Sequence, residues 1–174
     1  MENIVLRKVM PDDIDQLQEI GRHTFYETFS AANTEENMRK YLEEGFSLEK
    51  LRAELNDPNA EFYFATLGDH VIGYLKLNVG PSQTELQDKN ALEMERIYVL
   101  KVFQGKNVGK LLFDKAIQVA RQKNASYVWL GVWEENLRAI SFYKKNGFVE
   151  FDKHIFKLGE DEQTDLMMKR RLEN

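Results

Sequence analysis

Two periodicities alternate along the 174-residue chain. Leu92 to Val99 (LEMERIYV) alternates apolar and charged side chains and then runs apolar, the period-2 pattern of a strand with one solvated edge or face. Val108, Leu111, Leu112, Ala116 and Val119 then recur at helical spacing, so an amphipathic helix begins near Val108. Between the two lies Gln104-Gly105-Lys106-Asn107-Val108-Gly109-Lys110, a short loop with two glycines, an asparagine and two lysines that feeds directly into the helix.

The flanking pattern supplies the other elements. Ile4 to Val9 predicts a first strand, and Pro11-Asp12-Asp13 a helix start with carboxylates at its positive end. Ile14, Leu17, Ile20, Thr24, Phe25 and Thr28 continue that helix, a second begins within Asn33 to Asn37, and a third covers Leu48 to Leu55. Glu61 to Thr66 and Val71 to Val79 read as strands joined by a hairpin at Gly68-Asp69-His70. Tyr127 to Trp133 (YVWLGVW) is a continuous apolar run, as expected of a strand buried on both faces. Asn136 caps a helix that runs to Asn146, Gly147 supplies its left-handed stop, and Phe148 to Lys157 and Thr164 to Arg171 are closing strands.

Composition narrows the class. With 43% hydrophobic and 30% charged residues the chain has the balance of a globular protein, and its length suits a single domain over residues 1–174. No run of about 20 apolar residues marks a membrane span, and the N-terminus lacks the basic start and apolar stretch of a signal peptide. The absence of cysteine removes disulfides and thiol nucleophiles, and His23, His70 and His154 lack metal-ligand spacing. A cytoplasmic protein without a bound metal is expected. The net charge of −5 argues against nucleic acid as a main partner and is compatible with a cationic small molecule.

The 104–110 loop points to an anion. The first N–H groups of a helix lack internal acceptors and carry the positive end of the macrodipole, and glycine lets a phosphate approach them. A Walker A motif is excluded because Gly105 and Gly109 stand one residue too close and Leu111 follows the lysine; the Gly-x-Gly-x-x-Gly fingerprint is absent. A tight strand-to-helix connection without a ligand is the alternative, and the loop alone leaves both open.

The loop resembles the Q/R-x-x-G-x-G/A signature of the GCN5-related N-acetyltransferases (GNAT), with Asn107 in place of the first signature glycine. Asparagine enters the left-handed region at low cost, so the turn is kept. Glu95-Arg96-Ile97-Tyr98-Val99 and Asn136-x-x-Ala139-x-x-Phe142-Tyr143-x-x-Asn146-Gly147-Phe148 recur at that family's spacing, and the order of elements matches from about Ile4 to Leu172. HTFYETF (His23 to Phe29), ERIYV, LGVWEENLRAISFYKKNGF (Leu130 to Phe148) and GEDEQTDLMM (Gly159 to Met168) further resemble the PaiA type of bacterial spermidine/spermine N-acetyltransferase.

That resemblance implies an α/β (α+β) GNAT fold: a mixed, mostly antiparallel twisted sheet of about seven strands, helices on both faces, and acetyl-CoA in the splay between the fourth and fifth strands. Acetyl transfer to an amine requires a held thioester, a neutral amine, oxyanion stabilisation and a proton for the departing thiolate. By resemblance, Gln104, Gly105, Lys106, Asn107, Val108, Gly109 and Lys110 hold the pyrophosphate, and Lys145 also belongs to the coenzyme site. Lys106 and Lys110 read equally well as solvated lysines. The main-chain groups of Ile97, Tyr98 and Val99 hold the pantetheine arm and face the thioester oxygen, and Asn136 caps its helix and touches the coenzyme. Tyr143 is the implied general acid, since a phenol with reference pKa about 10 is protonated at neutral pH. Glu95, ahead of Glu93, is the candidate base, directly or through water, with two solvated strand carboxylates as the alternative. Tyr26, Glu27 and Glu35 are candidate contacts for a polyamine.

The leading expectation is therefore an N-acetyltransferase that acts on spermidine or spermine by direct attack, as a monomer or homodimer, without nucleic acid or membrane as partner. The PaiA resemblance adds an association with control of sporulation and degradative-enzyme genes. The alternatives are a GNAT enzyme with a protein N-terminus, lysine or aminosugar as acceptor, and a coenzyme-binding regulatory module with little turnover.

Overall fold

The computed structural model describes residues 3–172. In chain order the elements are β1 (Ile4–Lys8), α1 (Ile14–Phe29), α2 (Glu35–Gly45), α3 (Leu48–Leu55), β2 (Ala60–Leu67), β3 (His70–Val79), β4 (Ala91–Val99), α4 (Val108–Gln122), β5 (Tyr127–Trp133), α5 (Leu137–Lys145), β6 (Val149–Leu158) and β7 (Asp161–Arg171). Thr34 and Ser47 start α2 and α3 by accepting the backbone N–H groups of Asn37 and Lys50, at 3.1 and 3.2 Å. Asn136 does the same for α5, taking the Ala139 N–H at 3.3 Å. Gly147, at φ 90°, ends that helix in the left-handed conformation.

The seven strands form one sheet in the order β1-β2-β3-β4-β5-β7-β6. Every neighbouring pair is antiparallel except β4 with β5, which is parallel. Helices cover both faces. On one face α4 and α5 bury Leu112, Phe113, Ala116 and Tyr143 against Leu75, Leu77, Leu92, Met94, Val128 and Leu130. On the other, α1 to α3 bury Leu17, Phe25, Met38, Phe46 and Leu51 against Phe62, Phe64 and Tyr74.

Covering both faces corrects the expectation of a solvated β4. Its charged side lies under α3 at Arg96, and at Glu93, only 3% exposed, under Thr84 of the β3–β4 connection. β4 also departs from strict alternation. Lys76 pairs with Arg96 while Leu77 pairs with Met94, so Glu95 is an extra residue in a β-bulge. The bulge resets parity: Leu92 and Met94 face α4 before it, and Ile97 and Val99 face α4 after it. Glu93, Arg96 and Tyr98 are thereby left on the α1–α3 side. β5 needs a smaller correction, because Gly131 in the middle of the apolar run is exposed rather than buried.

Gly73 sets how closely β3 approaches the far half of β4. A Cβ there would lie 2.8 Å from the Tyr98 carbonyl oxygen, a backbone atom that cannot rotate away. Gly73→Ala is expected to cost about 1–3 kcal/mol, the range for overpacking, measured as a lowered urea midpoint with unchanged m-value.

Candidate active site

The site begins where the two central strands separate. β4 and β5 pair only from Ala91 with Tyr127 to Glu93 with Trp129. Beyond Glu93 the strands diverge, and the β5-facing edge of Met94 to Val99 carries main-chain groups without a partner strand. The side chains of Ile97 and Val99 pack into the α4 core, and that of Tyr98 packs on the opposite face against Tyr74, with ring centroids 6.0 Å apart. The main-chain groups of these three residues on the β5-facing edge are therefore open to a ligand in the splay. Gly131, on the other wall, has no side chain to fill it.

At the end of β4, a turn through Lys101–Phe103 leads to the exposed segment 104–107. Asn107 adopts φ 71°, ψ 8°, the left-handed conformation expected of it, and its side chain makes no cap hydrogen bond. The Leu111 N–H returns to the Asn107 carbonyl at 3.2 Å, which leaves the N–H groups of Val108, Gly109 and Lys110 ahead of the helical ladder. Nothing lies within 4 Å of a Cβ placed on Gly109, and the nearest atom to one on Gly105 is Arg138 Nη2 at 3.7 Å. This cradle of uncapped N–H donors with bare glycines fits a pyrophosphate.

Arg138, absent from the sequence-level site, completes the cradle. It comes from α5 and donates to Gln104 Oε1 at 3.2 Å, while Gln104 Nε2 donates to the Val99 carbonyl at 3.2 Å. The signal was present in its place two residues after the capping Asn136. The two loop lysines turn aside. Lys110 donates to Asp114 at 2.9 Å and Asn146 at 3.3 Å, and Lys106 sits 5.7 Å above the Phe103 ring. Lys145 is exposed in the last turn of α5, away from the helix N-terminus that Arg138 occupies.

Tyr143 approaches from the α4–α5 face. It is buried between Phe142 and Phe148, with ring centroids 5.7 and 5.8 Å away, and its hydroxyl has no hydrogen-bond partner among the described residues. Burial raises its pKa, so the phenol holds its proton at neutral pH. The hydroxyl of the half-buried Tyr98 on the other face is pushed up by partial burial and then by Tyr74 and Tyr143.

The opposite face carries a closed ring of alternating charge. Lys76 Nζ is 2.7 Å from Glu95 and 3.2 Å from Glu54 of α3; Arg96 is 3.1 Å from Glu95 and 3.2 Å from Glu54. Burial alone would raise the Glu95 pKa, but Arg96, Lys76 and the hydrogen bonds from Lys76 and Asn78 outweigh it and hold the carboxyl at about 2. Glu93 differs. Burial raises its pKa, only partly opposed by hydrogen bonds from Thr84 and Asn78. Asn78 Nδ2 joins the two carboxylates, 3.0 Å from Glu93 and 2.7 Å from Glu95.

The three candidate substrate contacts are dispersed. Glu27 accepts the Lys101 N–H at 3.0 Å and so fixes α1 to the turn after β4. Tyr26 is 51% exposed, and Glu35 is exposed in the first turn of α2, where its charge suits the helix dipole. Asp165 of β7 was missed, although it lies within GEDEQTDLMM. It is the cross-strand partner of Trp133, and burial raises its pKa to about 6 despite the opposing influence of His154.

A splayed parallel pair ending in an N–H cradle, with a neutral phenol on one side and carboxylates on the other, suits amine acylation by a nucleotide thioester. Residues 17–148 match the acetyltransferase (GNAT) family model, and the chain belongs to that family. It is 41% identical over 172 residues to an uncharacterised N-acetyltransferase of Lactobacillus delbrueckii subsp. lactis, covering 99% of each chain. It is 26% identical over 176 residues to a spermidine N(1)-acetyltransferase of Thermoplasma acidophilum, again covering 99% of each. The crystal structure of a PaiA N-acetyltransferase from Thermoplasma acidophilum in complex with coenzyme A superposes with a TM-score of 0.81 at 26% identity, over 98% of this chain and 99% of that one. The protein is thus a GNAT-fold N-acetyltransferase.

The ring has a pH signature. The folded Glu95 value of about 2 lies below its ordinary 4.5, so the stabilisation it gives is complete above about pH 4.5 and is lost as the pH falls toward 2. Glu95→Gln leaves Lys76 and Arg96 undercompensated and is expected to cost about 3–5 kcal/mol at pH 7. Urea unfolding at stepped pH checks both: wild type loses more stability than the variant between pH 4.5 and the acid limit of folding.

Proposed function

We propose that the protein transfers the acetyl group of acetyl-CoA to a primary amine of a small polyamine, spermidine or spermine, by direct attack. What carries this reading is the asymmetry of the splay, with a protonated phenol on one face and buried carboxylates on the other. The 26% identical spermidine N(1)-acetyltransferase supports the acceptor class.

The N–H groups at Val108 to Lys110, backed by Arg138, hold the pyrophosphate, and the free edge of Met94 to Val99 holds the pantetheine arm. Acetyl-CoA supplies the activated acyl group. Tyr143, neutral because it is buried, donates its proton to the leaving sulfur. The incoming amine, with reference pKa about 10, must shed a proton before attack. Glu93 suits that step better than Glu95. A carboxylate held at about 2 by two cations is a weak base, whereas that of Glu93 is raised. Glu93 is sealed under Thr84 and Asn78, so the proton reaches it through water. Glu95 instead supplies fixed negative charge and holds Arg96 in place.

Thiol release from acetyl-CoA against spermidine, spermine, putrescine, lysine peptides and an aminoglycoside tests the reading. Selective turnover of spermidine and spermine is expected. Turnover of peptides alone would overturn the polyamine acceptor, and coenzyme binding without turnover of any amine would favour a regulatory module. Tyr143→Phe should keep coenzyme affinity and lower kcat by roughly 100-fold or more; unchanged kcat would remove Tyr143 as the acid.

A further inference from the structure

On the α1–α3 face, beside the splay, one carboxylate stands apart from the charge ring. The Asp165 carboxylate has no hydrogen bond or ion pair among the described residues, although the residue is only partly exposed. It lies over the gap in β5. A Cβ on the exposed Gly131 would sit 3.6 Å from Asp165 Oδ2, so any side chain at that position would close the space in front of the carboxylate. In parallel register Glu93 faces Trp129, which puts Gly131 at the level of Glu95, where the strands part.

Aromatic rings surround the same opening. Trp133 is the cross-strand partner of Asp165 and packs on Phe29 at 5.2 Å. Phe29 reaches Phe156 at 6.1 Å, and Phe156 meets Tyr41 of α2 at 5.9 Å. Trp133, Tyr41 and Phe156 are each only partly buried, so their rings remain accessible. An unpaired carboxylate within an accessible aromatic wall is the environment that binds an alkylammonium, through charge and through the ring faces. His154 of β6 and Tyr41 are the titratable groups that face Asp165, and the His154 imidazole is itself held 2.8 Å from Glu85.

We infer that Asp165, framed by Gly131, Trp133, Tyr41 and Phe156, is the anionic end of the acceptor site and pairs with an ammonium group of a cationic amine substrate. This inference rests on the N-acetyltransferase reading with an amine acceptor. It adds a specificity-determining residue on the last strand, far in sequence from the helices that carry Tyr26, Glu27 and Glu35. Because burial places its titration at about pH 6, the carboxylate is charged at neutral pH and loses its hold on the amine below that value.

Steady-state kinetics with acetyl-CoA and each amine of the panel above, from pH 5.5 to 8, test it in wild type, Asp165→Asn, Asp165→Glu and His154→Gln. Asp165→Asn is expected to raise the amine KM about tenfold or more, the cost of an unpaired charge-assisted hydrogen bond. The KM for acetyl-CoA stays unchanged, which also reports that the variant folds. Asp165→Glu restores much of the loss. The wild-type amine KM rises below pH about 6, and that rise vanishes in Asp165→Asn but persists in His154→Gln. Equal amine KM in wild type and Asp165→Asn, or an acid limb that vanishes in His154→Gln instead, overturns the role of Asp165 while the acetyltransferase reading stands. No turnover of any amine by wild type overturns both.

Discussion

The bulge at Glu95 and the ring of charge that closes over it are the constraint on which the site depends. Glu54, Lys76, Glu95 and Arg96 come from α3, β3 and β4 and alternate in sign around one circuit. Buried ion pairs add little net stability because desolvation offsets attraction, yet breaking one leaves a charge uncompensated. The ring therefore acts as a geometric lock: α3 can seat on the sheet in one way, with Glu54 between the two cations. The bulge supplies the parity change that lets Arg96 face that helix while Ile97 and Val99 return to the α4 core.

Where the lock ends, the sheet opens. β4 leaves β5 after Glu93, one residue before the bulge begins. The resulting slot connects two faces of different chemistry. On the α4–α5 side are the uncapped N–H groups of the 104–110 loop and the buried Tyr143 phenol. The α1–α3 side is negative and aromatic, with Glu93, Asp165, Tyr41 and Trp133. In the proposed reaction, anion recognition and cation recognition fall on opposite sides of this slot.

Much of this was legible in the chain. The turn of the 104–110 loop could be read because glycines, a left-handed asparagine and a helix start leave a local signature, and Asn107 adopts the conformation its residue type predicts. The helix starts at Leu48, Val108 and Leu137 and the extent of β5 followed from capping and periodicity. The acceptor side was less legible for a physical reason: its partners are long-range. Glu93 and Glu95 read as candidate bases, with solvated carboxylates as the alternative, and their burial was hidden because the pattern of one strand does not reveal what covers it. A bulge has no sequence signature when no glycine marks it, so the different environments of Glu93 and Glu95 were hidden. Asp165 gains its meaning only through Gly131, 34 positions earlier, and through Tyr41 on α2. Arg138 was readable in principle from its distance to the capping Asn136.

Amide hydrogen exchange with and without coenzyme A tests the central claim most directly, because it reports on the backbone groups said to do the binding. The unpaired edge of Met94 to Val99 and the segment from Gly105 to Lys110 should gain protection together on adding the coenzyme, while β1 and β6 at the sheet edges stay unchanged. Protection confined to the loop, with the β4 edge exchanging as before, would contradict the splay as the coenzyme slot.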